Sequence, residues 1–280
     1  MVHLPIALQL FSVRDDMEAD FAGTLEKVKR MGYDGVEFAG LYGNTPEQVR
    51  ELCQKLDLQP VSAHVGLNEM IEDLQGTLDA YQTIGCHQIV IPYLTEEYRP
   101  GSEGFQSLID WAQKIGAHCK ARGMTLAYHN HNFEFTKIGE EYALDILYRD
   151  VDADCLQTQL DTCWVFVGGE DPIKYVRKYA GREYTVHLKD FWVRSDFVRS
   201  QQCGELYQLL GIDDGPQVPE EEGEVFCFRP IGYGVQNVAG IVQAAQESGA
   251  KWFIVEQDSP SMGKTPLQCA EMSIQYLKSL

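Results

Sequence analysis

The sequence predicts an α/β fold: a (β/α)8 TIM barrel forming one domain over residues 1–280, with an insertion after the seventh strand. Three observations predict it. Strand-like and helix-like runs alternate along the whole chain, giving eight units in 280 residues. The strand-like runs are short, rich in Val, Ile and Leu, and frequently continuous, as parallel strands buried on both faces should be. Glycines and capping residues punctuate the helix-like runs where such units must turn. Eight units in this length is the size of a closed barrel. A doubly wound open sheet is the alternative, because alternation alone does not prove closure.

Pro5–Phe11 is the first strand-like run and the amphipathic stretch Phe21–Met31 the helix after it. Gly32-Tyr33-Asp34-Gly35 turns the chain into the second strand, Val36–Phe38. Helix Pro46–Lys55, strand Pro60–His64 and helix Met70–Ile84 follow. Gly85 leads to strand Gln88–Tyr93, and a long helix covers Gly104–Arg122. Gly123 breaks that helix ahead of the fifth strand, Met124–His131. The remaining units are helix Tyr142–Tyr148, strand Leu156–Asp161, helix Pro172–Tyr179, strand Tyr184–His187, helix Val235–Glu247, strand Trp252–Glu256 and helix Pro266–Lys278. Gly32, Gly85, Gly123, Gly181 and Gly249 stand where left-handed C-terminal caps belong. Asn44 or Thr45 before Pro46, and Thr265 before Pro266, read as N-caps with proline in the first turn.

Residues 193–230 break the rhythm. His187 and Glu256 are 69 residues apart, against 32 from His129 to Asp161 and 26 from Asp161 to His187. Removing this stretch of about 38 residues restores the repeat. It carries Arg194, Arg199, the turn at 211–216 and the acidic run Glu220-Glu221-Glu222. Its place after the seventh strand, on the face where barrel enzymes keep their active sites, makes it a candidate lid. A disordered surface loop is the equal reading of its acidic middle.

Composition narrows the function classes. Acidic residues outnumber basic ones 42 to 23, a formal net charge of −19, which argues against a nucleic-acid partner and for simple solubility. No apolar run approaches the ~20 residues of a membrane span. Met1-Val2-His3-Leu4-Pro5 has neither the basic start nor the cleavage site of a signal peptide, so the expected location is cytoplasmic. The eight cysteines form no C-x-x-C pair and are expected to be reduced core residues, with Cys163 placed to lie near a site.

Chemistry gathers at the ends of the last four strands. Ala127-Tyr128-His129-Asn130-His131-Asn132-Phe133-Glu134 packs two histidines, two asparagines and a carboxylate into one strand end. Asp161, His187 and Glu256 stand at the last position or two of three more runs, each followed at once by loop-like sequence. Taken singly, each is a buried hydrogen-bonded residue or an N-cap. Three at equivalent points of consecutive units describe a site. A divalent cation at a barrel mouth takes ligands from separate strands and keeps open positions for water or substrate. Alternation puts His129 and His131 on one face with Thr125 and Ala127. Small residues suit a crowded barrel interior, so His129 is expected inward as the fourth ligand, with His131 above it near substrate.

These residues carry a resemblance. Gly123-Met-Thr-Leu-Ala-Tyr-His-Asn-His-Asn-Phe-Glu-Phe135, Leu160-Asp-Thr-Cys-Trp164, His187-Leu-Lys-Asp190, Gly232-Tyr-Gly234 and Val255-Glu-Gln-Asp258 are similar to the xylose isomerase-like TIM-barrel superfamily. So are Gln9-Leu-Phe-Ser-Val-Arg14 and Met31-Gly-Tyr-Asp-Gly-Val-Glu37. The resemblance is to its sugar phosphate isomerase/epimerase group and covers the chain apart from 193–230. It implies a Mn2+, Co2+, Mg2+ or Zn2+ ion held by Glu, Asp, His and Glu from strands five to eight. Asp161, His187 and Glu256 match the last three. The first departs from the pattern: many relatives have Leu-Ala-Leu-Glu-Asn-His where this chain has Leu126-Ala-Tyr-His-Asn-His131, so His129 replaces the glutamate.

The substitution bears on the chemistry the resemblance implies. Ketose 3-epimerases of the superfamily exchange a proton between two metal-bound glutamates, and here Glu256 alone holds such a position. His131 or Glu134 must then supply the second acid or base; His131 suits by its unperturbed pKa, whereas Glu134 needs burial to raise its own. The His-rich strand resembles inosose dehydratases, which abstract a proton next to a ketone and expel a hydroxyl. The implied activity is a metal-dependent sugar isomerase or epimerase acting on a small keto-sugar, sugar phosphate or cyclic polyol. A dehydratase or lyase on an inosose or 3-keto-glycoside is the alternative, and a barrel without turnover, serving as a binding or partner subunit, is the alternative of another class. Lys189 faces substrate oxygens or pairs with Asp190; Trp164 stacks on a sugar or covers the barrel edge. Glu37 and His64 line the pocket or brace its rim. His3, His87 and His118 read as surface or packing residues. Gly232-Tyr-Gly234 is a weak phosphate-loop signal. A small carbohydrate substrate is the expected partner, with no nucleic acid, no membrane and, by analogy, a homodimer.

Overall fold

The strand runs are buried on both faces, with aliphatic side chains outward and small or polar ones inward. The computed structural model describes residues 2–193 and 226–280. In chain order its strands are β1 (Ile6–Gln9), β2 (Gly35–Phe38), β3 (Gln59–His64), β4 (Gln88–Ile91), β5 (Thr125–His129), a small hairpin of β6 (Lys137–Ile138) and β7 (Glu141–Tyr142), then β8 (Gln157–Gln159), β9 (Thr185–Leu188), β10 (Asp190–Val193), β11 (Phe226–Arg229) and β12 (Trp252–Val255). Eight of them form one parallel sheet in the order β8-β5-β4-β3-β2-β1-β12-β9. Isolated parallel bridges Thr158↔Glu183 and Asp161↔His187 join its two ends. The His187 N–H donates to the Leu160 carbonyl at 2.9 Å and Thr158 N–H to Arg182 at 3.0 Å, so the sheet closes into a (β/α)8 TIM barrel.

Leu8, Val36, Phe38, Ile89, Ile91, Leu126, Val186, Leu188 and Phe253 face outward into the main apolar core beneath the helices. These helices are α1 (Arg14–Ala19), α2 (Phe21–Met31), α3 (Pro46–Leu56), α4 (Leu67–Glu72), α5 (Leu74–Ile84), α6 (Phe105–Ala121), α7 (Ala143–Asp150), α8 (Thr162–Val167), α9 (Pro172–Lys178), α10 (Val238–Ser248) and α11 (Pro266–Ser279). Thr45 and Thr265 begin α3 and α11 with reciprocal capping boxes to Gln48 and Gln268, each with proline in the first turn. Gly32 ends α2 at φ 98°, where any other residue would be strained. Gly116 is required for another reason: a Cβ there would lie 2.0 Å from the Cys155 carbonyl oxygen, so α6 presses directly on backbone.

Several boundaries differ from expectation. The expected helix 70–84 is two, because the Asp73 side chain accepts the Gly76 N–H and restarts the helix. The first strand stops at Gln9, whose side-chain oxygen accepts the Phe11 N–H and opens a 3-10 turn. The fifth strand ends at His129, since the His131 N–H leaves the ladder for the Glu134 carboxylate. Helix α8, starting immediately after Asp161, and the antiparallel pair β10–β11 had no periodic signal. That pair holds the two ends of the expected insertion at 193–230; residues 194–225 of this candidate lid lie outside the described residues. The seven described cysteines are all buried, and no disulfide joins any two of them. Among the described residues, no helix is long and apolar enough to cross a membrane.

The barrel axis is polar. Gln159 on β8 donates across it to Glu37 on β2 at 2.6 Å and to Thr185 Oγ1 at 2.9 Å. Thr185 donates to Gln88 at 2.7 Å, and Gln88 to Gln157 at 3.1 Å. Every link joins a donor to an acceptor, which is the condition for tolerating a buried polar network. The network lies directly below the C-terminal mouth.

Candidate metal centre

His129, Asp161, His187 and Glu256 come from the ends of β5, β8, β9 and β12, and all four are buried. One donor atom from each lies within 4.8 Å of the others. His129 Nε2 is 3.6 Å from Asp161 Oδ2, and His187 Nδ1 is 3.0 Å from Glu256 Oε2. His129 Nδ1 and Asp161 Oδ2 are buried without a hydrogen-bond partner. Unpaired buried polar atoms cost stability, and carboxylates with imidazoles are the donor types of borderline divalent ions. The set fits a cation. His64 adjoins it, its ring stacked on His187 at 5.3 Å and edge-on to His129 at 5.0 Å.

Glu37 lies beneath the cluster with both oxygens engaged. Oε1 accepts from Gln9 Nε2 at 2.7 Å and His187 Nε2 at 2.6 Å, and lies 3.0 Å from His64 Nε2, which is hydrogen-bonded to Gln159 Oε1 at 2.8 Å. Oε2 accepts from Gln159 Nε2 and the Ser62 hydroxyl. Burial would raise its pKa, but His64 and His187 hold it well below the usual carboxylate range. Burial likewise opposes a proton on His187, yet the carboxylates of Glu37 and Glu256 outweigh it and lift that ring to about 10. A carboxylate behind a histidine fixes the ring and raises its basicity, the usual support for a metal-binding imidazole. Glu37 therefore has no oxygen left for a pocket ligand.

Asp161 divides its carboxylate. Oδ1 caps α8, accepting the N–H groups of Cys163 at 2.8 Å and Trp164 at 3.0 Å. Oδ2 turns to the cluster. Asn130, on the opposite face of β5 from His129, accepts the Asp161 N–H at 3.0 Å and so ties the two strand ends together. Burial raises the Asp161 pKa to about 6.

Lys189 reaches into the same cluster. Its Nζ is 3.0 Å from Glu256, 2.8 Å from Asp258 and 3.5 Å from Asp161. Burial opposes the ammonium form, but these three carboxylates raise its pKa well above normal. The expected partner Asp190 is instead bonded to backbone, accepting from Gly232 at 3.0 Å, Gly234 at 2.9 Å and Gln236 at 3.2 Å. Those amides are the ones a phosphate loop would offer, and the Asp190 carboxylate fills them. Trp164, 1% exposed, covers Lys189 with Phe228 and stacks on His131 at 5.6 Å.

His131 stands above His129, ring to ring at 5.3 Å, walled by Tyr93, Phe133 and Trp164. Its Nδ1 is buried with no hydrogen-bond partner. Burial, then Lys189, holds its pKa well below the usual histidine range, so the unperturbed value expected from the sequence is not kept. Glu134 points away from the cluster. It accepts from the Tyr128 hydroxyl and from the His131 N–H at 2.8 Å, behind the strand. Burial raises its pKa to about 7. Cys163 lies in the apolar cluster with Trp164, its thiol pushed well up by burial. His3, His87 and His118 are exposed.

The structure brings in residues the sequence did not single out: Gln9, Ser62, Tyr93, Gln159 and Asp258. The inward period of β1, β3 and β8 is the signal that could have found Gln9, Ser62 and Gln159. Fold and cluster together define a (β/α)8 barrel with a candidate metal centre at its C-terminal mouth. The family model for the xylose isomerase-like TIM barrel matches residues 25–280, and the chain belongs to that family. It is 23% identical over 289 residues to an inosose dehydratase of Clostridium botulinum (strain Alaska E43 / Type E3), covering 94% of this chain and 92% of the other. A sugar phosphate isomerase/epimerase from Parabacteroides distasonis ATCC 8503 shares its fold at a TM-score of 0.76 and 20% identity, covering 99% and 98% of the two chains. The IOLI protein with a bound zinc atom does so at 0.69 and 16%, covering 98% and 96%.

Proposed function

We propose that the chain is a divalent-metal-dependent enzyme that removes a proton next to a carbonyl in a small keto-sugar, sugar phosphate or cyclic polyol, leading to isomerisation or epimerisation. The observation that carries this reading is the meeting of His129, Asp161, His187 and Glu256 in one buried cluster at four strand ends. A cation held there would polarise the carbonyl and stabilise the negative charge that develops when the proton leaves. Two imidazoles with two carboxylates suit Mn2+, Co2+ or Zn2+ better than Mg2+, which prefers oxygen alone.

The surrounding residues have assignable work. His131 accepts the proton at Nδ1, the atom without a partner. Glu134 acts through it, fixing the His131 backbone rather than touching substrate. Lys189 keeps its proton at Nζ between three carboxylates and orients substrate oxygens. Trp164 and Phe228 exclude water above it. Glu37 and His64 brace the ligand rings from below. Loss of water from an inosose-like substrate is the second reading; the inosose dehydratase relatives support it, as does a site offering one base and not two glutamates.

Metal analysis of the purified protein, with melting before and after chelation, tests the centre. Deuterium wash-in from heavy water into a panel of keto-sugars and inososes tests the chemistry. Exchange into a product isomer supports the first reading and loss of water the second. A protein that holds no divalent ion and exchanges no proton is the barrel without turnover.

A further inference from the structure

The loop between β4 and α6 carries a cation that the metal centre does not use. The Arg99 Cζ lies 4.6 Å from the Phe133 ring centroid and 5.1 Å from that of Tyr93. Its Nε donates to the Leu94 carbonyl at 3.1 Å and its Nη2 to the Tyr93 hydroxyl. Glu134, whose carboxylate feels the Arg99 charge, is already engaged by Tyr128 and His131. No ion pair joins Arg99 to a described carboxylate, whereas Arg122 and Arg177 each have one and Arg149 has two. Arg182, also half-buried, is occupied by three backbone carbonyls. Arg99 is a half-buried guanidinium of fixed orientation with Nη1 uncommitted.

The rings beneath it lead to the metal centre. Tyr93 stands edge-on to His131 at 5.1 Å, and Phe133 is stacked on it at 5.6 Å. Arg99 is close enough to act electrostatically on His131, the ring that borders the cluster. Charge gives this position its meaning. The chain carries −19 overall, and Asp161, Glu256 and Asp258 crowd around a single ammonium, that of Lys189. Such a surface repels anions unless a fixed cation receives them. A planar guanidinium receives a carboxylate or phosphate through parallel N–H bonds, and stacking on aromatic rings holds its plane.

Building on the reading of the cluster as a carbonyl-directed metal centre, we propose that Arg99 is the anion subsite of the same pocket. The substrate carries a carboxylate or phosphate at the end remote from its carbonyl, and Arg99, set by Leu94, Tyr93 and Phe133, binds that group.

The test titrates D-fructose, D-fructose 6-phosphate and D-glucuronate calorimetrically into Mn2+-treated and EDTA-treated protein at low ionic strength. At least one anion should bind tenfold or more tightly than fructose. Arg99→Gln should bring that ratio close to one, and Arg99→Lys, which keeps the charge, should retain part of it. The two anions separate phosphate from carboxylate recognition. Equal affinities for all three probes, no detectable anion binding, or an anion preference that survives Arg99→Gln would each overturn the proposal. A parallel Mn2+ titration reads the metal centre separately: wild type and Arg99→Gln should bind the ion alike. If neither binds it, the metal reading fails, while the anion ratio is still read on the EDTA-treated protein. Melting curves of both variants show that each is folded.

Discussion

Glu37→Gln separates a bracing carboxylate from one that faces substrate. The side chain keeps its shape but exchanges one acceptor oxygen for a donor NH2. Four groups now donate to Glu37: Gln9 and His187 to one oxygen, Ser62 and Gln159 to the other, with His64 Nε2 3.0 Å from the first. The least costly placement keeps the amide oxygen toward the histidines and turns the NH2 toward Ser62 and Gln159. The serine hydroxyl can rotate to accept; the Gln159 amide would meet a second donor. One charge-assisted bond is lost outright and that to His187 is weakened. At about 1.5–3 kcal/mol for each such bond, the loss is roughly 2–5 kcal/mol. At about 2–4 °C per kcal/mol for a large domain, the melting temperature should fall by roughly 4–20 °C. The melt is measured by circular dichroism in excess EDTA, so that metal binding does not enter. A Mn2+ titration of the same variant should show roughly 10–100-fold weaker binding, as removal of a carboxylate behind a metal-binding histidine typically gives. An unchanged melt with unchanged Mn2+ affinity would refute the bracing role. A raised KM with both unchanged would return Glu37 to the substrate.

Asp161→Asn keeps the helix-capping oxygen, so its melt in EDTA should stay close to wild type, while Mn2+ titration should show metal binding weakened beyond the roughly 10–100-fold of a supporting residue. Equal Mn2+ affinity would refute the assignment. Glu183 is 5% exposed with neither oxygen hydrogen-bonded, and burial raises its pKa to about 9. The unfolded chain releases this proton near pH 4.3 and the folded chain near 9, so stability should fall between those values by up to about 1.4 kcal/mol per pH unit. Glu183→Gln should flatten the decline in denaturant melts at pH 5, 7 and 9; identical slopes would count against the buried carboxylate. Gly116→Ala sets a methyl against the Cys155 carbonyl. It should cost about 1–3 kcal/mol in urea melts by forcing α6 from the barrel, and an unchanged midpoint would mean that the helix yields freely.

Sequence alone was a good guide where the physics is local. Strand and helix runs follow from hydrophobic period and capping, and Thr45 and Thr265 cap the helices expected of them. The short helix after Asp161 was hidden because Thr162–Val167 is apolar after its first residue and too short to show a period. Pairings across the barrel were hidden for a different reason. Glu37 and Gln159 are 122 residues apart and His187 and Glu37 are 150 apart, and nothing in either local pattern says which strands face each other. Glu134 shows the limit of composition. A carboxylate three residues beyond His131 looks like its catalytic neighbour, but the 3-10 turn Phe133–Phe135 swings it behind β5 to Tyr128, on the outward face. Residue type was visible; direction depended on a turn that composition does not set.

Asp161 shows why the four cluster residues were legible while their support was not. A strand end is where the chain must both leave the sheet and begin a helix, so an aspartate there is favoured as an N-cap whatever else it does. The backbone of α8 takes Oδ1 through Cys163 and Trp164, and this bond fixes the carboxylate plane. Asn130 fixes the strand end behind it. With one oxygen and the backbone held, Oδ2 faces His129 and Lys189 without rotating. The folding requirement and the proposed ligand requirement fall on different atoms of one side chain. That is why the residue stands out in the sequence on either account, and why the capping account alone leaves the second oxygen unexplained.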